Sequence, residues 1–201
     1  MTISSVDDWQ ETHALKRILA SVAGLQDDEH GSETPQRFLS MLSEMTQCSV
    51  DVSDVGHIKD CIKWKMFPSH TDEMIVVDSI PFVSLCNHHL VPFSGIAHVA
   101  YVPQKSEAGL SKFPRVVQHF AQRLQVQERM TAEIADYLER ALEPRGVAVV
   151  LRAEHMCMAF RGVKVRGVTT TTSAMRGVFA MHERTAKAEF MAIINGNGRN
   201  H

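Results

Sequence analysis

Charge of one sign is the first thing this sequence has little of. Its 201 residues carry 21 Lys and Arg against 23 Asp and Glu, a formal net charge of −2. No global field draws it to nucleic acid or to an anionic membrane, so each basic cluster is judged by its position. Long apolar runs are missing as well. Asp7, Asp8, Glu11, Lys16 and Arg17 interrupt the start of the chain, and neither a secretory signal nor a membrane span is expected there. Cysteine is scarce: Cys48, Cys61, Cys86 and Cys157 are too few for a disulfide-dense design, and reduced thiols in a cytoplasm are expected. Neither common Gly-rich nucleotide loop occurs, and there is no internal repeat or low-complexity tract.

What is present fits one α+β domain with a smaller extension, at an ordinary 44% apolar and 22% charged residues. Trp9, Leu15, Ile18, Leu19 and Val22 recur at helical spacing. Thr34 before Pro35 reads as a helix cap and first-turn proline, with Phe38, Leu42 and Met45 on the following helix. This predicts an N-terminal helical extension over 1–50, a main domain over 51–195 and a flexible tail over 196–201. From about residue 58 the texture turns to β-branched and aromatic residues. "MIVVDSIPFVSLC" and "GIAHVAYVP" read as strands. Ser111 and Pro114 open a helix with an apolar stripe of Val116, Val117, Phe120 and Leu124. A second helix over about 128–143 ends at Pro144 and Gly146, "GVAVVLRAEHMCMAFRG" reads as a strand, and residues 183–194 as a helix.

The stretch "SLCNHHLVPFSG", residues 84–95, places Cys86, His88 and His89 at the turn between the first two strands. Cys86 and His89 form a C-x2-H pair able to close on one ion. If "AEHMCMAFRG" is extended, His155, Cys157, Ala159 and Arg161 share one face, and Met156, Met158 and Phe160 look into the core. Adding Cys157 to the pair gives Cys2His, a donor set suited to zinc with a fourth position left for water. His88 and His155 are then imidazoles beside the metal, able to move protons near pH 7. Two other readings stay open: Cys157 as an inert buried thiol, and a closed Cys2His2 structural site with His88 or His155 as fourth ligand.

"CNHH", "GLSK", "RLQVQERMT", "HMCM" followed by "RG", and "TTTTS" stand in the order and spacing found in GTP cyclohydrolase I, which the chain resembles from about Thr34 to Ile194. The resemblance implies the tunnelling fold, an antiparallel sheet with paired helices. It also implies a homo-oligomer in which two pentameric barrels stack into a decamer with active sites between subunits. The implied reaction turns GTP and water into 7,8-dihydroneopterin triphosphate and formate, the entry to folate-type pterins. Carried over by position, Cys86, His89 and Cys157 match the zinc ligands, and His88 and His155 the catalytic histidines. Gln127 and Glu128 match the pair that grips the guanine edge. Ser111, Lys112, Arg115 and Arg161 match the triphosphate set, with Ser111 and Lys112 also at a helix N-terminus. Arg37 matches a phosphate-binding arginine from a neighbouring subunit.

The chain departs from the family's pattern at two positions. Asn87 replaces the usual glutamate beside the first histidine, exchanging a charge for an amide. Ser40 stands where a lysine is usual. A zinc-stabilised nucleotide-binding scaffold without turnover, or another tunnelling-fold enzyme acting on pterins or deazapurines, are the alternative readings.

Overall fold

The computed structural model describes residues 9–47, 55–181 and 185–196, which fall into two compact units divided after Gln47. The expected tail over 196–201 lies almost wholly outside the described residues.

The first unit is a pair of helices, α1 (Trp9–Ala23) and α2 (Thr34–Met45). Thr12 Oγ1 donates to Gln36 Oε1 at 3.0 Å between them. In the connection, the Asp28 carboxylate accepts the N–H groups of His30 and Gly31 at 3.0 and 2.8 Å. Thr34 is not the cap that its position before Pro35 suggested. Glu33 occupies the cap position without a side-chain cap bond, and the Thr34 N–H donates to Gly31 O at 3.1 Å.

The second unit begins with α3 (Val55–Ile62), which buries Ile58 and Ile62. The sequence reading had placed strand texture from about 58. A short strand β1 (Met66–Pro68) pairs with β4 (Ser106–Ala108). The main sheet has the order β5-β2-β3-β6-β7, built from β2 (Ile75–Cys86), β3 (Pro92–Val102), β5 (Leu124–Gln125), β6 (Gly146–His155) and β7 (Thr169–Gly177). All its pairings are antiparallel except β2 with β5, which is parallel.

Helices α4 (Lys112–Ala121) and α5 (Gln127–Leu142) pack on one face of this sheet. Phe113, Val116, Phe120, Met130, Ile134 and Leu138 meet Phe82, Phe93, Val99, Tyr101, Val149 and Leu151 there. On the other face, Phe190 and Ile194 of α7 (Thr185–Gly196) cover Ala100, Val102, Ala148 and Val150. Burial on both faces explains the unbroken apolar run "GVAVVL" at the start of β6. The α4 stripe stops short of Leu124, which belongs to β5 rather than to the helix.

Strand β6 ends earlier than its sequence suggested. Its last rung pairs His155 with Phe93, and the next position opposite is Pro92, which has no N–H to offer. On its other side β7 begins at Thr169, opposite Glu154. Without partners on either side the chain leaves the extended state and makes the helical turn α6 (Met156–Ala159). The strand alternation expected for 155–161 therefore does not hold. Phe160, expected in the core, is 64% exposed, and Met156 and Met158 are half-buried. The mixed α+β class is as expected.

Candidate metal centre and catalytic site

The turn after β2 is held by backbone bonds. Cys86 N donates to Val91 O at 2.9 Å, Leu90 N to Cys86 O at 2.9 Å, and Asn87 N to Gln125 O at 2.8 Å. Leu90 takes the left-handed conformation (φ 54°) that closes so tight a turn. Cys86 is buried at the strand end, whereas Asn87, His88 and His89 are exposed.

The α6 turn brings Cys157 to this turn. One donor atom each from Cys86, His89 and Cys157 lies within 4.8 Å of the others, and Cys86 Sγ stands 3.8 Å from His89 Nδ1. Around a tetrahedral zinc, sulfur and nitrogen ligands are spaced about 3.6 Å apart, given bonds near 2.3 and 2.0 Å. The donor types and this spacing fit such an ion. Neither His88 nor His155 joins the group among the described residues. His88 Nδ1 is 4.0 Å from Cys86 Sγ. Burial and the adjoining Cys86 thiol push the Cys157 thiol up, against the pull of the Arg161 charge. A cation between the two sulfurs reverses that balance.

His155 is fixed on several sides. Its ring stacks flat on Phe93, centroids 4.7 Å apart and planes 1° from parallel. Its Nε2 is 2.7 Å from Gln127 Oε1. Burial lowers its affinity for a proton, and the Glu128 carboxylate works in the opposite direction.

Glu128 is exposed in the first turn of α5, but its neighbour Gln127 is buried. The Gln127 amide nitrogen contacts Leu151 O, Thr170 O and Thr172 Oγ1 at 3.2, 3.0 and 3.1 Å. Its side chain is thus engaged inside the protein rather than offered to a ligand.

The expected phosphate residues come from separate segments. Ser111 and Lys112 begin α4, Arg115 is exposed one turn on, and Arg161 follows the α6 turn. Ser111 holds the cap position without a side-chain cap bond. The helix start is also less open than expected, since Lys112 N and Phe113 N already donate to Gly109 O and Leu110 O. Arg37 belongs to the first unit, where it ion-pairs with Glu33. Phe93, Thr131 and Thr172 support the site and were not anticipated. Only the strand register could have placed Phe93 beneath His155.

An α+β protein with a Cys2His donor group at a sheet end, flanked by a fixed histidine and a helix-start carboxylate, has the makings of a metal-dependent hydrolase. The sequence profile of GTP cyclohydrolase I matches residues 11–195. A GTP cyclohydrolase 1 from Carboxydothermus hydrogenoformans is 46% identical over 191 residues, covering 94% of this chain and 95% of that one. Those from Caldanaerobacter subterraneus and Aquifex aeolicus are 45% and 42% identical, covering 94% and 96% of this chain and 98% and 99% of their own. A crystal structure of the archaeosine synthase QueF-Like in the apo form overlaps 53% of this chain at TM-score 0.45 and 17% identity, which says nothing of its chemistry. The chain belongs to the GTP cyclohydrolase I family and is an enzyme of that kind. No helix among the described residues is long and apolar enough to cross a membrane.

Proposed function

We propose that this enzyme converts GTP and water to 7,8-dihydroneopterin triphosphate and formate at a zinc site formed by Cys86, His89 and Cys157. The convergence of those three side chains from two separate segments carries the reading. Zinc held there supplies Lewis acidity, so that water loses a proton readily at neutral pH.

The chain's own residues do the rest. Glu128 accepts hydrogen bonds from the guanine N–H groups, a role its exposed carboxylate suits. Gln127 matches the same guanine pair, but its committed amide argues for a different task. His155 and His88 give and take protons as the purine ring and then the ribose open. Arg161, Lys112, Arg115 and Ser111 bind the triphosphate, joined by Arg37 of a neighbouring copy in a decamer of two pentamers. The tunnelling fold over 51–195, the peripheral extension over 1–50 and a cytoplasmic location complete the reading.

Zinc-loaded protein given GTP should release formate and, after oxidation, fluorescent neopterin phosphates in equal amounts. Bound zinc with neither product would leave the scaffold reading standing instead.

A further inference from the structure

The hydrogen bonds around Gln127 have only one consistent direction. Thr131 Oγ1 donates its single proton to Gln127 O at 2.7 Å. The 2.6 Å contact between the two threonine hydroxyls must then use the proton of Thr172. Thr172 Oγ1 has none left and can only accept from the Gln127 amide. Leu151 O and Thr170 O, the other two neighbours of that nitrogen, are carbonyls and also only accept. Turning the amide over would set its oxygen against three acceptors in a buried site, which is costly. The nitrogen therefore faces inward, and Oε1 faces His155.

An amide oxygen cannot donate, so the 2.7 Å contact requires hydrogen on His155 Nε2. Stacking on Phe93 fixes the ring plane, and this bond fixes its rotation within that plane. We infer that Gln127 is a positioning residue, not a guanine contact: it holds a standing hydrogen on His155 Nε2 and leaves Nδ1 as the ring nitrogen that meets the substrate. Among the described residues no hydrogen bond reaches His155 Nδ1. Thr131 and Thr172 set the direction of the relay from behind. This deepens the reading above, since it takes His155 to be part of the reacting site.

The test is a double-mutant cycle on zinc-loaded protein with Gln127→Met, His155→Ala and the pair, following formate release and, separately, GTP binding by calorimetry. The methionine keeps length and apolar bulk and has no acceptor oxygen. Gln127→Met is expected to lower kcat by about 10-fold or more, up to the roughly 10²–10⁴-fold that general acid–base catalysis contributes, with KM for GTP changed less than about twofold. In the His155→Ala background it should change neither kcat nor GTP affinity by more than about twofold, because its target is gone. A tenfold rise in KM with kcat kept, or an undiminished loss in the His155→Ala background, would overturn the proposal. Should the methionine variant not fold, 15N-histidine labelling of the zinc-loaded wild type decides alone. The ring signals that vanish in His155→Ala must show hydrogen on Nε2 and a bare Nδ1, and the opposite pattern rejects the assignment. That readout stands even if the wild type releases no formate, which would count against the proposed reaction only.

Discussion

His155 and His88 each stand two residues from a cysteine of the proposed metal group, yet they are held in opposite ways. His155 ends a paired strand, lies flat on Phe93 and is bonded to a buried amide. His88 sits exposed on a turn fixed by its backbone, and among the described residues its ring meets the Cys86 sulfur at 4.0 Å and, edge-on, the ring of His89. A group placed beforehand loses little freedom when the substrate arrives, whereas one on an open turn has to be oriented by the substrate itself. If both histidines move protons as proposed, the contrast favours His155 for the more demanding transfer.

The largest test removes what both histidines serve. Cys157→Ala should take bound zinc from about one per chain to near none and formate release below detection, by metal analysis and assay; retained turnover would detach the site from the metal. Next, His155→Ala should lower kcat by about 10²–10⁴-fold, the scale of general acid–base catalysis, and His88→Ala about tenfold less. Equal losses would erase the contrast. Phe93→Leu keeps an apolar side chain but removes the stacking plane. It should cost roughly 1–2 kcal/mol in stability and show as a lower kcat with an unchanged KM.

Asn87→Glu changes only the exposed turn, and restoring the family's usual charge there should move kcat by no more than about threefold, the scale of exposed charge interactions. The smallest expected effect lies away from the site. Glu107 is held below the ordinary carboxylate range, chiefly by the His70 N–H that donates to it at 2.7 Å, with Ser69 Oγ donating at 3.1 Å. A carboxyl depressed on folding adds stability above its unfolded value and loses it as pH falls through the folded one. Glu107→Gln should therefore lower Tm slightly at neutral pH, and the gap should close below about pH 4. Activity should be unaffected.

The site was legible in the sequence to different depths. Cys86 and His89 could be paired from spacing alone, because a tight turn keeps near neighbours together. Cys157 was assigned to the right company for the wrong geometric reason. Strand alternation put it beside His155, whereas a helical turn carries it to Cys86 once β6 runs out of partners at Pro92 and Thr169. That end depends on where two other strands stop, which no local pattern records. Helix α3 was missed because, among its described side chains, only Ile58 and Ile62 are buried, too few to set a helical period. The inward bonding of Gln127 could not be read from the sequence, because its neighbours, Leu151, Thr170 and Thr172, come from distant parts of the chain.

The two-residue strand β5 looks slight, but it aligns Cys86 with Gln125, and Gln125 O takes the Asn87 N–H at 2.8 Å. Two residues further along is Gln127. The Cys86–His89 turn and the first turn of α5 are therefore joined through two rungs of sheet, Leu85 with Leu124 and Cys86 with Gln125. Damage travels along such a joint in either direction. Loosening the Arg129 and Glu133 contacts that brace Gln125 would disturb the proposed seat of the metal, and on that proposal stripping a bound metal would slacken the hold on the His155 ring. Loss of the ion and loss of proton transfer would then look, to a geneticist sorting inactive variants, like one phenotype with many addresses.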